Sequence, residues 1–555
     1  MKKPRTQNLF TPFAENAVAT PWSEYPRPSL VRNSYLSLNG EWEIEAMGYK
    51  GRIQVPFPPE SLLSGIGKDL GEALIYQKRF TLPQDFNKGR VLIHLGAVDA
   101  EAEVSLNRRL VGYHEGGYLP FELDVTDVLT NGENLLEVRV IDRLDHDLPY
   151  GKQRKNRGGM WYTPISGIWQ SVWLESVPCE HIERLEILPS LDSVRISVIG
   201  GASRKRLILD DGGEYEFEGD SIEIRIDEPQ HWTPENPKLY NFQIECGDDT
   251  VRSYFALRTV EARDGRLLLN GKPYFFHALL DQGYFSDGIY TPATPEGYEF
   301  DILSAKRLGF NTLRKHIKIE PEIFYYYCDK HGMAVFQDLV NSGGYSFLID
   351  TALPTIGLKK GISHRATARR RERFEQDGLD TLSLLYNHPS VVYYTIFNEG
   401  WGQYDADRLF KKFKSADESR IYDSTSGWFF ESESDVDSHH VYFKPVRLKG
   451  KERPLVLSEF GGYSCKIEGH SFNLDKTYGY RFFDTATELE DALDRLYSEE
   501  IIPAVREGLC AAVLTQLSDV EDETNGLITY DRKIIKVSEE KMQSIAKRLK
   551  EAVAK

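Results

Sequence analysis

A chain of 555 residues, 41% hydrophobic and 12% aromatic, can bury a large core and has room for roughly two to four domains, which excludes an intrinsically disordered protein. The formal net charge of −17 argues against a nucleic-acid partner, because Lys and Arg concentrate only in a short run over 365–373 that reads as a solvated helix. Five scattered cysteines, Cys179, Cys246, Cys328, Cys465 and Cys510, form no CxxC pair, so neither a disulfide framework nor a zinc site is expected and a reducing compartment fits best.

The opening "MKKPRTQNLFTPFAEN" is basic but lacks an apolar segment behind it, and no stretch reaches the roughly 18 apolar residues of a membrane span. The expectation is a soluble, cytoplasmic protein with no membrane partner. From about 30 to 177 short segments alternate apolar and polar positions between turn residues, as in "GRVLIHLGAVDAEAEVSLNRRLVGYHEGGYLPFELDVTDVL". This predicts a jelly-roll-like antiparallel β-sandwich over 1–178. "RLEILPSL", "SVRISVIGG", "SIEIRI" and "NFQIECGDDTVRSYFALRTV" continue the pattern, predicting a smaller immunoglobulin-like sandwich over 179–262.

After "DGRLLLNGKPYFFHALL" strand-length apolar runs alternate with longer amphipathic segments. Strands are predicted at 275–280, 310–315, 333–339, 391–397, 420–424, 437–442, 454–458 and 510–516, with helices at 296–308, 320–331, 370–386, 404–417, 485–506 and 536–553. Eight strands, most followed by a helix, make a (β/α)8 TIM barrel over 263–555. Such a barrel carries its chemistry where strands end in βα loops.

Two strand ends carry a carboxylate. In "VVYYTIFNEGWG" the fourth strand runs into Asn398-Glu399, and in "RPLVLSEFGG" the seventh runs into Glu459. Facing each other across the mouth, two Glu residues suit hydrolysis of a glycosidic bond with retention, for which the carboxyl groups sit about 5–5.5 Å apart and divide the work between acid and nucleophile. Mutual repulsion and burial separate their pKa values. Asn398, beside the acid, can donate a hydrogen bond to a sugar hydroxyl.

The chain resembles glycoside hydrolase family 2, the family of β-galactosidases, β-glucuronidases and β-mannosidases, along nearly its whole length. "YPRPSLVRNSYLSLNGEWEIE" is similar to the family's N-terminal entry, "VSLNRRLVGYHEGGYLPFELDVTDVL" and "SGIWQSVWLE" to its sugar-binding sandwich, "FALRTVEARDGRLLLNGKPYFFHALL" to the passage into the barrel, and "NHPSVVYYTIFNEG" to its acid/base signature. The resemblance implies that Glu399 is the general acid/base and Glu459 the nucleophile. It implies further that Tyr442 in "DSHHVYF" hydrogen-bonds the nucleophile with His440 lining the pocket, and that Arg314 in "LRKHIKIEP" lies near Glu459. Trp401 and Trp428 either stack on a sugar face or pack barrel loops.

Three rims depart from the family pattern. His316 follows Arg314 by two residues where many members read Arg-x-x-His, Asp281 and Gln282 stand where Asn-Arg-His-Glu is common, and Gln516 replaces an aromatic after strand eight. The Asn-x-Lys pair by which the β-glucuronidases hold a sugar carboxylate aligns with Glu523 and Asn525, which disfavours a uronate unless Lys315 or Lys318 substitutes. A neutral sugar, galactose by its frequency in the family, is the expectation. Nothing in the sequence requires a cofactor. His439 and His440, with Asp435 and Asp437, could suggest a metal, but adjacent strand residues point to opposite faces.

Rival readings are a non-catalytic carbohydrate-binding barrel, against which the joint presence of Asn398, Glu399 and Glu459 speaks, and a Ser or Cys hydrolase, for which no GxSxG elbow exists. "KNRGGMWYTP", 155–164, is a candidate for a loop that the first sandwich lends to the active-site mouth. Homo-oligomerisation, common in the family, would narrow the pocket, and the sequence shows no interface for it.

Overall fold

Alternating burial drives the N-terminal architecture. In the computed structural model, which describes residues 4–16, 20–355, 357–359, 363–450 and 452–553, strand Gly40–Ala46 buries Trp42 and Ile44 while Glu41 and Glu43 face water, and Asn134–Ile141 buries Leu136, Val138 and Val140. One apolar face per strand requires a second sheet to cover it. A six-stranded antiparallel sheet, from Tyr49–Val55 at one edge to Arg109–Glu115 at the other, accordingly packs on a four-stranded sheet containing Arg90–Leu95 and Val172–Val177.

The second sandwich repeats the solution with three strands against four and a core that includes Ile196, Leu207, Phe242 and Val251. A buried ion network joins the two sandwiches. Arg32 donates to both carboxylate oxygens of Asp249 at 2.9 and 2.8 Å and lies 3.2 Å from Glu175, which Arg27 reaches at 2.9 Å.

The barrel strands are Phe276–Asp281, Thr312–Lys315, Ala334–Asp338, Val391–Thr395, Ile421–Asp423, Asp437–Val441, Leu455–Gly461 and Leu509–Thr515. All but the sixth are buried at every position, as parallel strands covered on both faces must be. They pair in parallel in the order five, four, three, two, one, eight, seven, six. The ring has its seam between the fifth and sixth strands, which explains why Asp437 and His439 of the sixth are only half-buried.

Helices Glu296–Arg307, Glu322–His331, Ala368–Leu385, Ala406–Ala416, Ala486–Leu496 and Glu539–Val553 lie where the amphipathic segments predict. Two starts show their causes: Thr367 accepts from the Arg370 N–H, and Thr485 forms a capping box with Glu488. No helix among the described residues is long and apolar enough to cross a membrane.

Two strands end two or more residues from where the sequence places them. The fourth strand stops at Thr395 rather than 397, because beyond it the chain bonds irregularly to the segment after strand five: Ile396 N–H to Asp423 O at 2.9 Å and Ser426 N–H to Phe397 O at 2.7 Å. The seventh runs through Glu459 to Gly461, with register shifts against both neighbours at that point.

The Arg32 network generates a prediction. Burial opposes the charge of Glu175, but Arg27, His94 and Arg32 overcome it and hold its pKa well below the usual carboxylate range. A depressed folded pKa contributes stability that is complete above the unfolded value and lost as pH falls below it. Arg32→Met should therefore cost about 3–5 kcal/mol at pH 7, seen by calorimetry as a lower Tm for the sandwich transition, and the gap from the parent should shrink toward pH 3.

Candidate active site

The Asn398-Glu399-Gly400-Trp401 turn places the first carboxylate. Trp401 N–H closes it onto Asn398 O at 2.9 Å, and Glu399 N–H is held by Ser426 O at 2.9 Å. Glu399 takes the left-handed conformation, φ +50°, and Gly400 follows at φ +75°, where a Cβ would collide with the Phe429 ring. Only glycine fits the second position, and the first is a conformation that costs a non-glycine residue on the order of 1 kcal/mol or more and that clusters at functional sites. This strain aims the Glu399 side chain at His440, whose Nδ1 lies 2.8 Å from Oε1.

Glu459 sits opposite, buried. Its Oε1 accepts from Arg314 Nη1 at 3.1 Å and its Oε2 from the Tyr442 hydroxyl at 2.6 Å, while His440 Nδ1 lies 3.4 Å from Oε2. Burial pushes its pKa up, but the nearby His440 ring, the Arg314 guanidinium and the Tyr442 hydrogen bond outweigh burial and leave it below the ordinary value. Tyr442 is driven far the other way by burial and by the Glu459 charge, so it stays a donor. One oxygen of each glutamate and a ring nitrogen of His440 fall within 4.8 Å of one another. These three are also the group among the described residues that could hold a metal ion.

Arg314 organises this centre. With 1% exposure it donates through Nε to Asp338 Oδ1 at 3.0 Å, through Nη1 to Glu459 and the Ser458 carbonyl at 2.8 Å, and through Nη2 to Asn398 Oδ1 at 2.9 Å. Fixing the Asn398 oxygen leaves its Nδ2 as the end without a hydrogen bond among the described residues, suited to donate to a ligand. His316 is held by Asp338 at 2.7 Å, and burial together with the Lys152 charge pushes it down to about 4, so it is neutral near pH 7. His440 turns to the centre and His439 packs on Phe430, as neighbours on a strand must.

Other expected site residues have different surroundings. Asp281 forms a buried ion pair with Lys315 at 2.6 Å, and Lys315 and Lys318 both bond Glu320 at 2.9 Å. This corrects two expectations: Asp281 is consumed in a closed network instead of lining the mouth, and neither lysine is free to receive a sugar carboxylate. Burial pushes Lys318 down to about 8 against the Glu320 charge. Gln282 donates to Gln516, and Gln516 donates to Glu523 and Asn525, so the two glutamines support Glu523.

Trp401 is 2% exposed, packed against Trp161 with ring centroids 5.1 Å apart and against Tyr345. Of the two roles open to it, loop packing is the one its surroundings serve. Trp428 stays half-buried with its ring edge-on to His440. The 155–164 loop does reach the barrel mouth: besides Trp161 on Trp401, the Tyr162 hydroxyl donates to Glu523 at 2.9 Å and Arg157 pairs with Glu521 at 3.0 Å. A separate cleft of about 630 Å³ between the two sandwiches and helix Ala368–Leu385 is lined by neither Glu399 nor Glu459 nor any residue of a barrel strand, so the chemistry is not placed there.

Three models of one family match the chain in register with this architecture: glycosyl hydrolases family 2, sugar binding domain, over 10–178, glycosyl hydrolases family 2 over 189–258, and glycosyl hydrolases family 2, TIM barrel domain, over 260–466. The chain belongs to glycosyl hydrolase family 2. A β-galactosidase of Priestia megaterium is 23% identical over 509 residues, covering 82% of this chain and 47% of its own length, and one of Aeromonas hydrophila is 25% identical over 503 residues, 77% and 46%. The chain thus spans about half the length of these family 2 relatives. Among solved structures, the β-D-glucuronidase of Dictyoglomus thermophilum superposes with a TM-score of 0.77 at 20% identity, over 95% of this chain and 98% of that one. The β-galacturonidase of Eisenbergiella tayi does so at 0.70 and 18%, over 94% and 99%. At these identities the superpositions show a shared fold.

Sequence reasoning missed Asp338, Ser426, Thr515, Tyr480 and Lys152. Asp338 had a readable signal, since "AVFQD" ends an apolar strand in a carboxylate as "VLSE" does. Thr515, 2.8 Å from the Tyr442 hydroxyl, and Tyr480, stacked on Tyr442 at 4.0 Å, had none. Lys152 comes from another domain, and no spacing within the barrel could find it.

Proposed function

We propose that the chain is an exo-acting, retaining β-glycosidase that removes a terminal neutral sugar, with galactose preferred, from an oligosaccharide or glycoconjugate. The observation that carries this reading is the pair Glu399 and Glu459 at facing strand ends, with one oxygen of each within the same 4.8 Å group, a separation that suits double displacement. Glu459, held ionised by Arg314 and Tyr442, attacks the anomeric carbon as the bond to the leaving oxygen breaks. Glu399 gives that oxygen a proton and then takes one from the water that releases the sugar. Asn398, with its oxygen fixed by Arg314, offers its amide hydrogens to a hydroxyl of the glycone.

The neutral glycone is favoured by Glu523 and Asn525, which stand where the resemblance expects an Asn-x-Lys pair, and by the closed ion pairs of Lys315 and Lys318. The relatives named β-galactosidase agree with it. The solved neighbours named β-glucuronidase keep a uronate as the second reading, and a barrel that binds carbohydrate without cleaving it is the reading from another class.

A panel of nitrophenyl glycosides separates the three, with β-galactoside cleaved best on the first reading, β-glucuronide on the second and none on the third. Glu459→Gln, folded as the parent, should lose more than about a thousandfold in kcat; near-parental turnover would remove Glu459 from the mechanism. Glu399→Ala should spare nitrophenyl substrates relative to alkyl glycosides, because only a poor leaving group needs the acid, which contributes about 10²–10⁴-fold. Tyr442→Phe deletes a hydrogen bond that favours ionised Glu459, so its pKa rises and the acidic limb of kcat/KM moves to higher pH; a limb that stays in place would show that Glu459 does not govern it.

A further inference from the structure

Besides Arg157, which pairs with Glu521, the first sandwich sends a second cation, Lys152, into the barrel mouth. Tyr150 N–H bonds Asn341 O at 3.0 Å and its hydroxyl bonds Gly343 O at 2.8 Å, so the chain entering this segment is tied to the loop after the third barrel strand. Gly151 follows at φ +69°, where a Cβ would stand 2.6 Å from the Tyr118 hydroxyl and 3.1 Å from Ile317 O. Only glycine lets the chain pass this close to the second barrel loop. Lys152 is next, its carbonyl accepting from Tyr162 N–H at 3.0 Å.

Lys152 is 6% exposed, and its ammonium makes no hydrogen bond or ion pair among the described residues, yet it is not sealed from solvent. It lies 5.5 Å from the Trp401 ring centre and 5.6 Å from that of Tyr162, and its charge acts on His316 and on Glu523. Glu523 is fixed by two donors, Tyr162 to Oε1 at 2.9 Å and Gln516 to Oε2 at 3.0 Å; burial and the Glu459 charge push its pKa up, and the Lys152 charge and the Tyr162 hydrogen bond oppose that rise. Lys152 and Glu523 thus attract each other without touching. A cation this buried is costly without acceptors, and neighbouring sugar hydroxyls supply them.

We propose that Lys152 and Glu523 form a donor–acceptor pair that grips adjacent hydroxyls of the glycone, so that the N-terminal sandwich contributes a specificity-determining residue to the barrel's site. The pair rests on the glycosidase reading and sharpens its substrate class. Lysine and carboxylate balance each other, so an uncharged sugar enters without leaving a charge over, whereas a uronate would bring a third carboxylate beside Glu523 and Glu459.

The test is kcat/KM of Lys152→Met and Glu523→Gln on the aryl β-glycosides that the parent cleaves, with the melting temperature of each variant. Deleting a charge-assisted hydrogen bond to the glycone should lower kcat/KM for neutral glycosides by about 30-fold or more in each variant. Lys152→Met, which breaks no ion pair, should melt no lower than the parent, and this separates recognition from a structural role. Unchanged kcat/KM in Lys152→Met overturns the proposal while the glycosidase reading stands, and so does a loss that follows a fall in melting temperature. A loss confined to β-glucuronide or β-galacturonide overturns it in favour of a carboxylate partner for Lys152. A parent silent on every glycoside overturns the glycosidase reading and the pair with it.

Discussion

The site depends on one buried guanidinium. Arg314 projects from the second barrel strand and, with its donors fixed in a plane, reaches Asp338 at the end of the third, Asn398 just past the fourth and Ser458 and Glu459 on the seventh. A lysine could not satisfy these directions at once, since its charge is a point and its donors rotate. Removing one member would leave the others buried and unpaired, which is costly in a low-dielectric interior. The same arginine helps keep Glu459 ionised and anchors the Asn398 amide, so geometry and electrostatics at the strand ends have a common origin.

Around that centre, charges are closed off in separate cells. Lys315, Lys318, Asp281 and Glu320 neutralise one another under the first and second loops, and Arg532 pairs with Asp301 behind the eighth. These cells stiffen the rim. Among the described residues, the Asn398 amide nitrogen and the Lys152 ammonium keep hydrogen-bonding capacity beside this centre. Rigid placement matters because a catalytic carboxylate gains from fixed geometry only if its supports cannot relax.

Much of the fold was legible in the sequence. Period-two alternation in "GEWEIEA" and "NLLEVRVI" comes from strands with one wet face, and continuous apolar runs such as "VVYYT" from strands covered on both, so the change of texture near 263 marks the change of architecture. Both strand-end carboxylates were visible because each follows an apolar run directly, at the ends of two strands that can face each other across one barrel. What stayed hidden depended on partners distant along the chain. Asp281 and Lys315 look like rim residues until their mutual ion pair is seen, and Trp401 looks like a sugar platform until Trp161 from the first sandwich covers it. Lys152 sits in "PYGKQRK", where nothing local distinguishes it from the neighbouring cations.

The central claim is that Glu459 is the nucleophile of a double displacement. The most direct measurement is mass spectrometry of peptides from protein treated with 2,4-dinitrophenyl 2-deoxy-2-fluoro-β-galactoside, whose fluorine slows release of the covalent intermediate while the good leaving group lets it form. The account predicts one added fluorosugar, located on the peptide containing Glu459 and absent from Glu459→Gln. A label on another residue, or none from a protein that turns over the parent galactoside, would contradict it.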